Sequence, residues 1–333
     1  MIKKIIAVVL IGLVVSLAGF KLFFNKDSTL EKITDLKENL SSYHMEANME
    51  ISSNDDIREF FVVVDYQKGE EDNNFRISLL DKNINQEQIM LRNSEGVYVL
   101  TPSLNQIYTF KGDYPLNSQK PYLFHSMLEA LDGEYSMEKS SDGYLLSFAP
   151  KYDNNPNWVK EYIKMSKEFK PLWVNIYDKN NTIVCSVNFS KVEFDLEYEE
   201  DHFNVEKNME KARETAIDID RNEDELPFMV VDNIIETNLK EQTEATVDGK
   251  TVYILSYEGD KNFTLIQEIV EEKDEVSYQT VSGNLVNFDL GLGIYNDKYL
   301  VYIYNGIKYE IYSDTLEVNE MIDIVSSLDV IEK

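Results

Sequence analysis

The sequence has few of the residues on which metal sites and disulfide frameworks depend. Its 333 residues include a single cysteine, Cys185, and only three histidines, His44, His125 and His202. One cysteine excludes an intramolecular disulfide, so a chain outside the cytoplasm has to be stabilised by a hydrophobic core. No two histidines have the spacing of metal ligands, and we therefore predict neither a metal site nor a cofactor.

Basic residues are also scarce. The chain has 32 lysines and arginines against 61 aspartates and glutamates, which gives a formal net charge of −29. Such a surface repels phosphate backbones and argues against a nucleic-acid partner. It also repels anionic lipid headgroups, so attachment to a membrane requires a discrete anchor.

The motifs of common enzyme classes are missing as well. Gly291-Leu292-Gly293 lacks the third glycine and the following helix of a dinucleotide fingerprint. There is no phosphate loop and no glycine-flanked serine elbow. We predict a non-enzymatic protein. A cell-envelope hydrolase is kept as an alternative, but carboxylate pairs are too common in so acidic a chain to single out its residues.

Residues 1–25 form a membrane anchor or signal-like segment. Lys3 and Lys4 precede the apolar run Ile5–Phe20, which predicts a transmembrane helix with a cytoplasmic amino terminus. The bulk of the chain is then extracytoplasmic, either outside a cell or in the intermembrane space of a developing spore. Ser16-Leu17-Ala18 has the small residues of a signal-peptide cleavage site, so the alternative is a cleaved segment.

Alternation of apolar and polar residues predicts a mainly antiparallel β protein. From Tyr43 to Ile51, every second residue is apolar. The other predicted strands of the first part are Glu59–Tyr66, Asn74–Leu80, Gln86–Arg92, Val97–Thr101, Gln106–Lys111, Tyr135–Glu138, Tyr144–Ala149, Leu172–Tyr177, Ile183–Phe189 and Val192–Tyr198. The apolar phase reverses beyond Ser190, which predicts a β-bulge near Ser190-Lys191.

Helical spacing occurs in a few short segments. A helix is predicted from Asp27 or Ser28 to about Leu40, another over Leu123–Leu131, and a short helical turn over Trp158–Tyr162. We predict a first domain over 28–205 and an acidic connector over 206–227. A smaller C-terminal α+β domain over 228–333 has a hairpin turn at Asn305-Gly306 and a final amphipathic helix.

The apolar side of the first strands is the candidate binding face for a hydrophobic ligand. Methionines suit such a surface because they adapt to ligands of different shape. The alternative is an ordinary filled core under the helices. The predicted ligand-facing residues are Met45, Ala47, Met49, Ile51, Phe75, Ile77 and Leu79.

The order of elements over Leu30–Val205 resembles the lipoprotein-carrier (LolA-like) family. The segment Gly96–Pro102 followed by Asn105–Tyr108 fits the family's glycine, tyrosine, proline and tyrosine stretch. Its closing hairpin is matched by Lys170–Val174, the turn at Asp178–Asn181, and Val187–Ser190 with Phe203. Lys298–Tyr312 and Leu316–Leu328 are similar to the small C-terminal domain of sporulation and germination lipoproteins of Gram-positive spore formers.

The resemblance implies a curved half-barrel sheet closed by helices, with an apolar concave side. It implies binding of an acyl chain or lipoprotein, or of a protein partner such as a cell-wall (spore cortex) amidase. The chain departs from the lipoprotein pattern at one point. Leu17-Ala18-Gly19 is followed by Phe20 and not by a cysteine, so no lipid can be attached there.

Overall fold

The computed structural model describes residues 31–53, 56–110, 120–152, 155, 157–217, 226–230, 236–288 and 291–328. The chain divides into two compact units, Met1–Ser41 and Ser42–Lys333. In the first unit, residues 31–39 form a helix, α1.

A twelve-stranded sheet dominates the second unit. Its spatial order is β15-β6-β5-β4-β3-β2-β1-β11-β10-β9-β8-β7. The strands are β1 Ser42–Ser53, β2 Asp56–Gln67, β3 Asn74–Asp81, β4 Gln86–Asn93, β5 Gly96–Thr101, β6 Gln106–Phe110, β7 Tyr135–Ser140, β8 Gly143–Phe148, β9 Lys160–Met165, β10 Pro171–Tyr177, β11 Ile183–Phe194 and β15 Ser277–Thr280. All neighbours are antiparallel except β15 and β6, so the predicted antiparallel meander is confirmed.

A second sheet of seven strands is built by the C-terminal part. Its spatial order is β12-β13-β14-β19-β18-β17-β16. The strands are β12 Thr237–Val247, β13 Lys250–Gly259, β14 Phe263–Ile269, β16 Asn284–Phe288, β17 Gly291–Asn296, β18 Tyr299–Tyr304 and β19 Ile307–Tyr312. Asn305 and Gly306 both have positive φ in the two-residue turn between β18 and β19, as the sequence predicts.

The described residues of the second unit form three α-helices: α2 Phe124–Ala130, α3 Val205–Arg213 and α4 Val318–Leu328. The buried side of α4, including Met321, Ile324 and Leu328, joins the core of the seven-stranded sheet. The buried residues Val205, Met209 and Ala212 of α3 pack on strands β4 to β6 of the larger sheet. Asn204 caps α3 by accepting a hydrogen bond from the backbone of Lys207 at 2.8 Å.

The predicted bulge at Ser190 is confirmed. Glu46 of β1 faces Lys191 of β11, whereas the next residue, Ala47, faces Phe189. Ser190 is therefore the extra residue that restores the apolar residues of β11 to one face of the sheet. The strand ends at Phe194, four residues before the predicted end, because Asp195 has a φ of 56°.

The helical turn predicted over Trp158–Tyr162 is wrong. From Lys160 the chain forms β9, in which Glu161, Ile163 and Met165 are buried. Strand pairing with β8 on one side and β10 on the other fixes this period of two. Four strands that the sequence did not predict, β12, β15, β16 and β17, carry weaker alternation of apolar and polar residues.

The two sheets are connected by a shared strand pairing and by side-chain contacts. Strand β15 comes from the C-terminal part but pairs in parallel with β6 of the larger sheet. The backbone carbonyl of Asn105 accepts a hydrogen bond from the backbone N–H of Ser277 at 2.9 Å. Tyr304 of the smaller sheet donates to Asp81 of the larger one at 3.0 Å. The boundary predicted at 206–227 stays a prediction.

Two predictions concern residues outside the described ranges. The membrane anchor over 1–25 and part of the acidic connector, 218–225, belong to this group. Within the ranges that the structure describes, no helix is both long and apolar enough to cross a bilayer.

One glycine carries a conformational requirement that can be tested. Gly143 opens β8 with a φ of +145°, and a Cβ atom there would lie 2.0 Å from the backbone oxygen of Met165. Gly143→Ala is expected to lower the free energy of unfolding by about 3 kcal/mol, because strained backbone and a backbone clash combine. Urea denaturation measures the loss. Gly133→Ala is the control, since its Cβ meets only one atom at 3.6 Å; equal stability of both variants would contradict the strain.

Candidate functional site

The predicted binding residues lie together on one side of the twelve-stranded sheet, which we call the inner face. Met45, Ala47, Met49 and Ile51 of β1 are at most 5% exposed, as are Phe75 and Ile77 of β3. Leu79 is half-buried. Strand β2 lies between the two groups and contributes Phe60, Val62, Val64 and Tyr66 to the same face.

Strand pairing extends the inner face far beyond the predicted residues. Met49 pairs with Val187, which pairs with Val174, and this row continues to Ile163 and Leu146 of β8. In the other direction, Met45 begins a row that crosses four strands. That row runs through Val64, Ile77, Met90 and Val99. The result is a continuous band of aliphatic and methionine side chains across most of the sheet.

The second sheet meets the inner face at one end. Leu79 and Phe60 line a small cavity of about 50 Å³ together with Ile303 and Tyr304 of β18. This end of the face is therefore next to the β18–β19 hairpin.

An aromatic cluster joins α2 to the inner face. The Tyr43 ring is fully buried and stacks on Tyr66 with centroids 5.1 Å apart. Its hydroxyl lies 3.1 Å from Nδ1 of His125 on α2. Burial lowers the pKa of His125 to about 4, so the imidazole is neutral at pH 7. A neutral ring fits among Tyr66, Phe75 and Tyr43, where a charged one would be poorly solvated.

A buried carboxyl group projects into the inner face at its β9 side. Glu161 of β9 pairs with Ile176, whose other partner is Cys185. The Glu161 residue is 3% exposed, and Tyr152 donates its hydroxyl to the carboxyl at 3.0 Å. Burial raises the pKa of Glu161 to about 8, so the group is largely protonated at pH 7. It is then a neutral hydrogen-bonding group within an apolar surface.

The other side of the sheet, the outer face, carries a cluster centred on the buried carboxylate of Asp65. Nδ1 of His44 lies 2.6 Å from Asp65, and Nε2 of His202 lies 3.1 Å from it. The His202 contact is a close polar contact and not an aligned hydrogen bond, because Nε2 has no partner with hydrogen-bond geometry. Arg76 approaches the same carboxylate at 3.7 Å, and the Tyr198 hydroxyl does so at 3.3 Å.

The charges in this cluster shift two ionisation equilibria in opposite directions. Burial by itself would raise the pKa of Asp65, but the contacts with His202 and His44 outweigh it and hold the pKa well below its ordinary value. The hydrogen bond to Asp65 raises the pKa of His44, partly against the effect of burial. The ion pairs therefore favour an aspartate anion beside a protonated His44.

The Asp65 cluster fastens α3 to the sheet. Arg76 donates from Nε to Asn208 of α3 at 2.6 Å, and Asn208 in turn donates to the carbonyls of His202 and Asn204 at 2.8 Å each. Tyr198 donates to the carbonyl of Tyr43 at 2.7 Å. The segment that leads into α3 is thus tied to strands β1, β2 and β3.

The arrangement is unsuited to catalysis by His44. Its second ring nitrogen, Nε2, lies 3.0 Å from Glu46, so both nitrogens are engaged by carboxylates. Cys185 is 1% exposed on the inner face. In the described part of the chain, no group of three or more histidine, cysteine or acidic side chains has the geometry of a metal site.

Sequence reasoning missed Glu161, His125 and the Asp65 cluster. No local signal marks Asp65, because a carboxylate between Val64 and Tyr66 fits the polar–apolar alternation of a strand with one solvated face. Its partners lie up to 137 positions away, from His202 back to Asp65, and only the strand register brings them together. His202, which follows the acidic run Glu199–Asp201 in the sequence, faces this buried carboxylate.

Comparison with known proteins supports the predicted relationship. The chain is 29% identical over 299 residues to a protein described as sporulation protein YdcC of Bacillus subtilis strain 168, covering 86% of each chain. No protein-family profile matches the sequence. The predicted resemblance to sporulation proteins of Gram-positive spore formers is confirmed.

Matched solved structures include MucB, with a TM-score of 0.36 and 11% identity over 91% of this chain and 96% of that one. They also include a LolA-superfamily protein from Nitrosomonas europaea, with a TM-score of 0.28 and 15% identity over 54% of this chain and 98% of that one. At TM-scores this low, they support no inference about function.

The buried carboxyl on the inner face makes a testable contribution to stability. The pKa of Glu161 is raised from an ordinary 4.5 to about 8, so the folded state keeps a proton that the unfolded state loses. Stability must therefore fall as the pH rises between these two values. Glu161→Gln is expected to stabilise the protein by about 2 kcal/mol at pH 8 and to flatten this dependence. Denaturant titrations at several pH values measure it. The exposed Glu138→Gln on β7 is the control; equal slopes in both variants would refute the assignment.

The His44–Asp65 pair predicts a second pH dependence, best measured in the Glu161→Gln background. The raised pKa of His44 means that its stabilisation is complete below the ordinary pKa of 6.5 and is lost as the pH rises through the folded-state pKa. Asp65 behaves oppositely, because its stabilisation is lost as the pH falls below its ordinary 3.8. His44→Gln should abolish the alkaline loss. His125→Gln should retain it, since that ring is already neutral there. An unchanged alkaline slope in His44→Gln would disprove the pairing.

Breaking the cluster at its centre should be costly. Asp65→Asn leaves the guanidinium of Arg76 and the two imidazoles without their buried anion. The free energy of unfolding is expected to drop by about 3 kcal/mol at pH 7, the usual effect of removing one partner from a buried ion pair. Urea denaturation checks this value. Asp142→Asn is the control, because that carboxylate is 69% exposed; a similar loss in both would show that burial has no special role at Asp65.

Proposed function

We propose that this chain is a non-enzymatic binding protein of the cell envelope that acts in sporulation or germination and holds an acyl chain on its inner face. The observation that supports this is the continuous apolar band from β8 to β5, in which the seven residues singled out from the sequence take part. Similarity to a sporulation protein supports the biological setting.

The composition of the inner face suits a flexible apolar ligand. Met45, Met49 and Met90 lie among aliphatic side chains, and methionine adapts its shape at little energetic cost. Glu161 and Tyr152 add one neutral polar site at the β9 side. An acyl ester or amide has the same combination of a long apolar tail and a single hydrogen-bonding group.

The remaining parts of this proposal follow from the sequence. A helix formed by residues 1–25 would hold the protein at the membrane, with the bulk of the chain outside the cytoplasm. The inner face would be the concave side of a half-barrel, and residues 228–333 would form the smaller α+β domain. The Asp65 cluster then has a structural role, because both nitrogens of His44 are occupied.

A tryptophan on either side of β1 tests the ligand face. Ala47 is 2% exposed on the inner face, and Asn48 next to it is exposed on the outer face. In a chain lacking residues 1–25, Ala47→Trp is expected to weaken binding of a fluorescent long-chain fatty acid about tenfold, because the added ring fills the space of the ligand. Asn48→Trp should bind like wild type. Fluorescence titration and native mass spectrometry give the two readouts.

Two results would count against an acyl ligand. If neither wild type nor Asn48→Trp takes up the fatty acid, the inner face is a closed core. If, in addition, an envelope amidase is recovered with the protein from sporulating cells, the alternative of an amidase partner is favoured. Circular dichroism of Ala47→Trp separates loss of binding from loss of folding.

A further inference from the structure

The outer face differs between its two halves. Over β4 to β6 it is covered by α3, and α2 and α4 pack on the inner face and on the smaller sheet. Over β8 to β11, none of these three helices covers it. Six side chains occupy the centre of this open half, which we call the polar-aromatic patch: Tyr162, Lys164, Trp173, Asn175, Ser186 and Asn188.

None of the six patch side chains is acidic in a chain that has 61 aspartates and glutamates, and Asp142 contacts the patch through Lys164. Between Gly143 and Phe148 of β8, and between Lys160 and Met165 of β9, the one acidic residue is Glu161, which points to the inner face. Strand β10 and the paired residues of β11 up to Asn188 have none. The nearest carboxylates on the same rows are Glu138 of β7 and Glu50 of β1, beyond either edge of the patch.

Aromatic rings and hydrogen-bonding groups alternate within the patch. Trp173 has Lys164 on one side and Asn188 on the other. In the adjacent row, Asn175 lies between Tyr162 and Ser186. Each ring thus has an amide, hydroxyl or ammonium group as its direct neighbour, at the spacing of adjacent strands, about 4.8 Å.

This alternation distinguishes the classes of partner. A protein interface usually has an apolar centre and a polar rim, and a lipid surface requires a continuous apolar area. A sugar ring has an apolar C–H side and a margin of hydroxyl and amide groups. It can therefore stack on a flat aromatic ring while an adjacent amide hydrogen-bonds its margin.

Charge favours a glycan that carries carboxylates. With a net charge of −29, most of the surface would repel an acidic polymer. That repulsion is reduced at the patch, because none of its six side chains is acidic and the neighbouring Asp142 is paired with Lys164. Lys160 lies at its edge, with its ammonium 4.5 Å from the centre of the Tyr162 ring. Lys164 is held by Asp142 at 2.9 Å, so Lys160 is the cation available to a ligand carboxylate.

We propose that the polar-aromatic patch binds a glycan strand of N-acetylated amino sugars bearing carboxylates, with Trp173 as the stacking platform. The three strands that carry the patch span about 10 Å, so the patch accommodates about two sugar rings of one chain. The glycan and the acyl chain would occupy opposite sides of the same sheet, and the two sites are independent.

The experiment uses the chain from residue 28 onward, which contains all the strands of both sheets. Binding is measured to two soluble probes, an N-acetylglucosamine tetramer and a muramic-acid-containing tetrasaccharide of the same length, and by sedimentation with purified peptidoglycan. Trp173→Ala is expected to weaken binding of both sugars about tenfold, the usual loss for a stacking tryptophan. Lys160→Ala should weaken only the muramic-acid probe. Tyr312→Ala, an exposed ring of the smaller sheet, is the control and should change neither.

A spectroscopic readout locates the contact. Trp158 and Trp173 are the two tryptophans of the chain, so Trp158→Phe leaves Trp173 as the only one. Its fluorescence should change on addition of either sugar. Asn175→Ala provides a second variant of the patch if Trp173→Ala does not fold, and it too should weaken both sugars.

Three outcomes would overturn the proposal. The first is that neither sugar nor peptidoglycan binds. The second is that Trp173→Ala and Tyr312→Ala bind the sugars equally well. The third is that a sugar binds without changing the fluorescence of Trp173. Capture of a protein that depends on Trp173, without sugar binding, would assign the patch to a protein interface instead. Fatty-acid binding by Trp173→Ala should equal that of wild type, so failure here is distinguishable from failure of the acyl-chain proposal.

Discussion

The constraint on which this structure depends is that a β-strand sends successive side chains to opposite sides. Each strand of the twelve-stranded sheet therefore needs a suitable environment on both faces. The inner face meets this requirement with Met45, Ile77, Val187 and their neighbours, all buried. Where the strand register would have broken the pattern, the extra residue Ser190 restores it. A shift by one residue would have exposed the whole band and buried its polar neighbours.

The outer face meets the same requirement in two ways. Over β4 to β6 it carries Ile89, Leu91 and Leu100, which need a cover, and α3 provides it. The Asp65 cluster lies at the edge of this covered region and ties the segment before α3 to three strands. Over β8 to β11 the outward residues are polar or aromatic with a polar group, so water can be their neighbour. Hydrophobicity alone thus explains why one half is covered and the other is open.

Ionisable groups in the interior divide by whether they have a charged partner. Asp65 stays ionised because His44, His202 and Arg76 surround it. Glu161 has only a tyrosine hydroxyl at hydrogen-bond distance and keeps its proton. His125, surrounded by rings, stays neutral. The first group holds elements together, whereas Glu161 costs stability as the pH rises. A buried ionisable group that lowers stability in an otherwise apolar band is typical of ligand sites. A purely structural role gives little reason for such a group.

The sequence by itself determined the local features: the strands of the first part other than β9, the bulge at Ser190, the turn at Asn305-Gly306 and the apolar side of β1. Each of these depends on neighbouring residues, through the two-residue period or the conformation that a turn requires. Tertiary structure decided what depends on distant pairing. It made β9 a strand by supplying two partners, brought β15 to the larger sheet, and placed His44, Asp65 and His202 in contact. It also turned Glu161 inward among apolar residues, because register assigns a side chain to a face and no local pattern records which partners that face will have.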